Sequence, residues 1–330
     1  MANNEPVRVI GVGNPIVDLL ARVDESFIDS IAGEKGGMVL VSPEEMEELL
    51  AKLDTEIEKV PGGSAANTIF AMARMGAQSA MLGKIRDDEE GKLYQQVFRE
   101  MGGDCSRFKF TDKTPTARCL SLITPDSERT MRTDLGAAAL LSADEISRED
   151  FEGYQHAHIE GYLYFNDQEL FEKVLRCAKD VGCSVSLDLG SFEVVKAMGE
   201  DLPRLLKNYV DFVFANEEEA EAFCGSKDPK SALKEFSNLC DTVAVKLGAD
   251  GSLLCCGQEE CQVEAESVAN VLDTTGAGDL WAAGFLYAYL SGAPLDKCGR
   301  IGAKLGAEVV QYIGPKMPAE AWNRIYEVLK

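Results

Sequence analysis

Asp279 directly follows Gly276, Ala277 and Gly278, and an apolar run from Leu280 to Leu290 follows it. The three small residues leave the backbone open to close approach by a ligand. The apolar run has helical bulk, so a helix is predicted to start near Gly278. The first N–H groups of a helix lack internal partners, and the helix dipole adds positive potential there. An anion fits such a place. A carboxylate in the first turn is ordinary helix chemistry. Beside an anion hole, Asp279 is also placed to take a proton from a hydroxyl. Anion hole plus base is what phosphoryl transfer to an alcohol requires. A glycine-rich loop capped by an acidic residue accounts for the same residues equally well, so other segments must decide.

Three further segments carry polar groups at useful spacing. Asn14 and Asp18 follow a short apolar run that ends in Gly11-Val12-Gly13. They stand just past a first strand, where an α/β protein grips its ligand; turn chemistry around Pro15 explains them too. Gly62 and Gly63 open a second glycine turn, and Asn67 lies in the first turn of the helix that follows. Its amide can bond a hydroxyl or simply cap the helix. Asn216 and Glu219 are three apart and share a helix face. They suit a hydrated Mg²⁺ through oxygen ligands and water, and they equally suit a capping box.

Composition excludes several classes. The net charge of −23 argues against nucleic acid or an anionic membrane as partner. It leaves room for a phosphate ligand, because salt screens exposed charge beyond about 8 Å. Ten cysteines without a Cys-x-x-Cys pair and only two histidines make zinc sites and a disulfide scaffold poor readings. No apolar run reaches membrane-spanning length, and the polar N-terminus resembles no signal peptide. The cytoplasm is the expected compartment. The Gly11-Val-Gly13 run lacks the third glycine of a dinucleotide fingerprint, since position 16 is Ile, and no P-loop motif occurs.

The elements that must position these residues alternate. Strands are predicted over 7–13, 79–83, 156–164, 184–189, 210–215, 242–247 and 251–256. Helices are predicted at 43–53, 68–75, 88–101, 167–181, 201–209 and within 294–313. Such alternation means a parallel sheet with helices on both faces. The stretch 108–135 breaks it with strand, turn and strand around Pro125-Asp126. With the β-like runs between 16 and 42, it is expected to form a small separate sheet over the main one.

Together and in this order, these segments resemble the ribokinase family, the carbohydrate and nucleoside kinases named after the minor phosphofructokinase (PfkB). The likeness covers nearly the whole chain and is most specific over 62–91 and 273–284. It implies one α/β, ribokinase-like, three-layer domain over 1–330, with a small β-sheet lid from segments about 16–42 and 108–135. It implies ATP with Mg²⁺ as cofactors, Asp279 as general base, and the backbone of Gly276, Ala277 and Gly278 as the anion hole. Asn216 and Glu219 match the family's Asn-x-x-Glu element, which organises Mg²⁺ and phosphate through water. Lys246, Gly248 and Gly251 fall in its nucleotide-binding turn, although Thr is common at the position of Lys246. Asp273, Thr275 and Gly314 fall where many members hold a monovalent cation such as K⁺.

Within the family, Gly11-Val-Gly-Asn-Pro-Ile-Val-Asp18 and Leu135-Gly-Ala-Ala138 are similar to the adenosine kinase branch. That likeness implies Asn14, Asp18, Gly62, Gly63 and Asn67 as sugar contacts and Tyr162 as an aromatic facing the base. Arg132 departs from an apolar base pocket and is expected to bond a purine other than adenine, or a sugar acid. The implied reaction is phosphorylation of a primary hydroxyl, adenosine to AMP first. Inosine, guanosine, ribose, fructose and 2-keto-3-deoxygluconate stay open as acceptors, as does a non-catalytic nucleoside-binding protein. Monomer and homodimer both stay open.

Overall fold

The computed structural model describes residues 6–126 and 128–329. Among them an eight-stranded sheet runs in the order Glu259–Val263, Ser252–Cys256, Thr242–Lys246, Phe212–Asn216, Ser184–Asp188, His156–Glu160, Arg8–Val12, Gln78–Leu82. The last six are mutually parallel, and the first two pair antiparallel at one edge. Helices cover both faces, as the alternation predicts, because a parallel strand is apolar on both sides and must be buried on both.

The two faces carry different cargo. One side packs Ile10, Ala157, Val185, Val213 and Val243 against the amphipathic helices Gln168–Asp180, Asp201–Tyr209 and Pro229–Ser237. The opposite side packs Val9, Phe212, Phe214 and Ala244 against Ser64–Arg74, Ala277–Leu290 and Leu295–Val309. Ala277–Leu290 is apolar all round, the mark of a central helix. Its Trp281, Phe285 and Tyr289 meet Phe214 and Phe212 edge-on.

The second sheet has five strands in the order Met38–Leu40, Arg129–Asp134, Ala117–Ile123, Ile16–Arg22, Ile57–Gly62. Ile57–Gly62 ends in what reads by sequence as only a glycine turn; it pairs antiparallel with Ile16–Arg22. A helix over Pro43–Ala51, capped by Ser42 with Glu45, joins the edge strand to it. Leu20, Val60 and Ile123 on this sheet pack on Ile313 beside the main body. No helix among the described residues is long and apolar enough to cross a membrane.

Candidate active site

The strand period of two and the pairing registers set out the floor of the site. Glu160 lies opposite Asp188, and Asn216 opposite Lys246. All four share the face under the Ala277–Leu290 helix and sit at the carboxyl ends of adjacent parallel strands. Ligands of open α/β sheets bind at this edge. Below the row lie His156 and His158. Burial pulls their pKa values down to about 3 and about 4, so both are neutral packing groups rather than bases.

Above the row is the start of the central helix. Gly276 precedes it in a left-handed conformation (φ 76°), and no side chain caps it. Asp279 is in its first turn and partly accessible. Its Oδ1 accepts from Ser64 Oγ at 2.8 Å and its Oδ2 from Asn67 Nδ2 at 2.8 Å. Thr68 Oγ1 donates to the Asp279 carbonyl at 3.0 Å. Two donors thus hold the carboxylate in one orientation. Burial, reinforced by the nearby Asp188 charge, raises its pKa to about 6, while the Asn67 and Ser64 bonds and Lys246 oppose the rise.

Lys246 reaches across the row. Its Nζ is 2.9 Å from Asp188 Oδ2, and a Cβ placed on Gly278 would lie 3.0 Å from it. Burial disfavours the ammonium, but Asp188, Glu219 and Asp279 outweigh that and raise its pKa. Asn216 and Glu219 form a complete capping box: Asn216 N donates to Glu219 Oε2 at 2.8 Å and Glu219 N to Asn216 Oδ1 at 2.9 Å. Glu219 is only 2 % exposed, and burial followed by the Asp188 charge raises its pKa. Among the described residues no group of three or more His, Cys, Asp or Glu could cage a metal. A hydrated Mg²⁺ arriving on nucleotide phosphates fits Glu219 and Asp188, because Mg²⁺ keeps most of its waters in such sites.

Asp18, Asn14 and Gly63 line the junction of the two sheets. Burial, the largest influence, raises the Asp18 pKa to about 6, and Arg129 opposes it. A Cβ on Gly62 would lie 2.5 Å from Asp18 Oδ2. Gly63 needs its positive φ of 102°, and a side chain there would strike the Asn14 carbonyl. Asn14 is 4 % exposed, and its Oδ1 accepts from Asn166 Nδ2 at 2.6 Å.

Asp273, Thr275 and Gly314 also come together, but around a guanidinium. Arg129 Nη1 is 2.6 Å from Asp273 Oδ2 and 2.7 Å from Thr275 Oγ1, and Gly314 N donates to Asp273 Oδ2 at 2.7 Å. Arg129 reaches in from the small sheet, which supplies the positive charge expected there of K⁺. Gly248 and Gly251 bound the turn after Lys246. Gly248 faces open space, whereas a Cβ on Gly251 would collide with the Val263 carbonyl. Packing on the last strand therefore suffices to explain Gly251.

One expectation needs correction. Arg132 does not face the cleft. It is 2 % exposed and donates to the carbonyls of Met131, at 2.8 Å, and Ala32. Alternation along Arg129–Asp134 is the reason: Arg129, Met131 and Thr133 share the side of Asp18 and Cys119, so Arg132 points to the other. Tyr162 lies past the strand, with its hydroxyl tied to the Gly190 carbonyl at 2.8 Å and its ring against Gly190. Sequence reasoning missed Glu160, Asp188, Arg129 and Ser64. The first two end observed parallel strands, but the predicted strands run on to 164 and 189, so Glu160 reads as mid-strand and Asp188 as one residue short of the end.

Comparison with known proteins gives the same type of molecule. A family model for the pfkB family carbohydrate kinases matches residues 33–322. The solved adenosine kinase of Sinorhizobium meliloti superposes with a TM-score of 0.86 at 32% identity, over 98% of this chain and 99% of that one. An uncharacterized sugar kinase of Archaeoglobus fulgidus is 30% identical over 75% of this chain and 97% of its own length. A nucleoside kinase of Methanocaldococcus jannaschii is 27% identical, over 82% of this chain and 86% of its own. The chain belongs to the pfkB family of carbohydrate kinases, and within it is an ATP-dependent nucleoside or sugar kinase.

Proposed function

We infer that the chain phosphorylates the primary hydroxyl of a nucleoside, with adenosine as the preferred acceptor and AMP as product. The observation that carries the mechanism is Asp279, fixed by Ser64 and Asn67 in the first turn of an uncapped helix. The acceptor hydroxyl gives its proton to Asp279 as its oxygen bonds the γ-phosphorus. The bond to the β-phosphate oxygen breaks, and ADP leaves. The Gly276–Gly278 backbone bears the charge that develops on the phosphoryl oxygens. With Mg²⁺ bound on the nucleotide, Glu219 and Asp188 would hold its waters, and the ion would supply neutralisation of phosphate charge. Asp18, Asn14, Gly62, Gly63 and Asn67 bind the sugar. Asn216 and Glu219 order the water around the phosphates, and Gly248 borders the nucleotide. The small sheet acts as a lid, which Arg129 draws toward Asp273 to exclude water.

Adenosine ranks ahead of the oxopurine nucleosides and free sugars for two reasons. The Sinorhizobium meliloti adenosine kinase is similar over almost the whole chain. Removing Arg132 from the cleft also removes the group that pointed to a different acceptor. The deciding assay is ADP release from ATP across adenosine, inosine, guanosine, cytidine, ribose, fructose and 2-keto-3-deoxygluconate, with and without K⁺. Adenosine is expected to be fastest. A free sugar ahead of every nucleoside would overturn the acceptor and keep the kinase. No ADP release with any acceptor, set beside intact ATP binding, would favour a non-catalytic nucleoside-binding protein.

A further inference from the structure

Resting on the nucleoside-kinase reading, we propose that Asn166 is a positioning residue of the acceptor site: it holds the Asn14 carboxamide so that an N–H, not the carbonyl, meets a hydroxyl of the nucleoside. Asn166 ends the short helix Leu163–Asn166. Asparagine at such a place ordinarily caps a helix or closes a turn with its own side chain. Among the described residues Asn166 does neither, and Asp167 caps the following helix by accepting from Glu169 N and Leu170 N. The Asn166 amide reaches far along the chain instead. Its Nδ2 donates to Asn14 Oδ1 at 2.6 Å, 152 residues away, and to the Ala138 carbonyl at 3.4 Å, 28 residues away. Both partners lie in the segments that carry the likeness to the adenosine kinase branch, 11–18 and 135–138. Asn166 is tied to both and belongs to neither.

The partners decide which end of each amide faces which way. A main-chain carbonyl only accepts, so Ala138 requires the Nδ2 end of Asn166. That same Nδ2 then meets Asn14 at its oxygen. On its other side the Asn14 side chain bonds the Glu160 carboxylate, which takes an N–H. Asn14 is therefore gripped at both ends, Oδ1 by Asn166 and Nδ2 by Glu160, and a flip of its amide breaks both bonds. An amide nitrogen carries two N–H groups, so a second one is left for a sugar hydroxyl to accept. The bond to Asn166 is not needed to hold the chain. Glu160 already takes Asn14 N at 2.8 Å and fixes the backbone there. What Asn166 adds is the orientation of one side chain that lines the acceptor site.

Calorimetry on the wild type, Asn166→Ala and Asn166→Gln gives the dissociation constants of adenosine, 2′-deoxyadenosine and 3′-deoxyadenosine. Asn166 is half-buried, so its truncation opens no cavity in the core. In the wild type, deleting the hydroxyl that Asn14 meets should weaken binding about fivefold, the worth of one hydrogen bond. Asn166→Ala should bind adenosine about fivefold more weakly, and the same hydroxyl deletion should then cost less than about twofold. Its KM for adenosine should rise with kcat nearly unchanged, because Ser64 and Asn67 still hold Asp279. Asn166→Gln keeps the donor on a longer stem and should recover part of the hydroxyl's effect. An equal loss for all three nucleosides in Asn166→Ala, the mark of a merely structural bond, would overturn the proposal, as would no loss at all. If the assay of acceptors ranks another compound first, that compound and its deoxy forms replace adenosine and the same comparison decides. Binding is read without turnover, so a wild type that binds nucleoside and releases no ADP would sink the kinase reading and leave this result standing.

Discussion

At the scale of single residues, the proposed base Asp279 should set the pH dependence. A base works only when deprotonated, and its pKa is raised to about 6, so activity is lost as pH falls through that value. Asp18 is raised to about 6 by the same dominant cause, burial, and in the proposed reaction its carboxylate accepts from a sugar hydroxyl. The acid limb of log kcat/KM should therefore bend near pH 6 with a slope between one and two. A profile flat down to pH 5 would remove Asp279 from the base role. Asp279→Asn keeps the shape and can still meet Ser64, so it should fold as the wild type does. Its kcat should fall by roughly 10²–10⁴, the usual contribution of a positioned base. Nucleotide affinity measured by calorimetry should stay near that of the wild type.

At the scale of elements, strand alternation decides which residues of the small sheet act. Arg132 is a support, bonded to two backbone carbonyls on the covered side. Arg132→Met leaves a buried carbonyl unpaired and should cost about 1–3 kcal/mol, seen as a lower Tm, with acceptor KM unchanged within about twofold. A large KM change at unchanged Tm would return Arg132 to the cleft. The same alternation marks the limit of what the sequence discloses. The glycines, Asp279 and the parallel strands are legible because local chemistry demands them: uncapped turns need glycine, and buried strands need apolar runs. Arg129 and Arg132 are three apart in one strand of charged and hydroxyl residues, so neither face reads as the apolar one. Only pairing with Ala117–Ile123 and Met38–Leu40 assigns their sides. Glu160 and Asp188 hide for a related reason. Each is one carboxylate at the end of a strand, and its partners are 95 residues away at Ala65 and 58 at Lys246.

At the scale of the whole molecule, Glu160 joins the two sheets. The chain crosses from the large sheet to the small one at Gly13-Asn14-Pro15 and returns at Gly63. Glu160 accepts from Asn14 N at 2.8 Å and from Ala65 N at 2.9 Å, so one buried carboxylate holds both ends of this first excursion, which precedes the second one through Ala117–Ile123 and Arg129–Asp134. A side chain on Gly13 would collide with it, which explains glycine at that position. Burial, the main cause, raises the Glu160 pKa to about 7. The folded protein thus binds this proton more tightly than the unfolded chain does. Its ionisation lowers stability as pH rises from about 4.5 through 7, the reverse of an ordinary surface carboxylate. Glu160→Gln deletes that titration but offers one acceptor where two amides need one. The wild-type Tm should therefore fall more steeply than the variant's between pH 5 and pH 8. At neutral pH the variant should show faster hydrogen exchange at the Asn14 and Ala65 amides and a raised acceptor KM, because Asn14 and Asn67 hang from those crossings. Unchanged protection at both amides would mean that the sheets are held together elsewhere, by Arg129 on Asp273 and by Leu20, Val60 and Ile123 on Ile313.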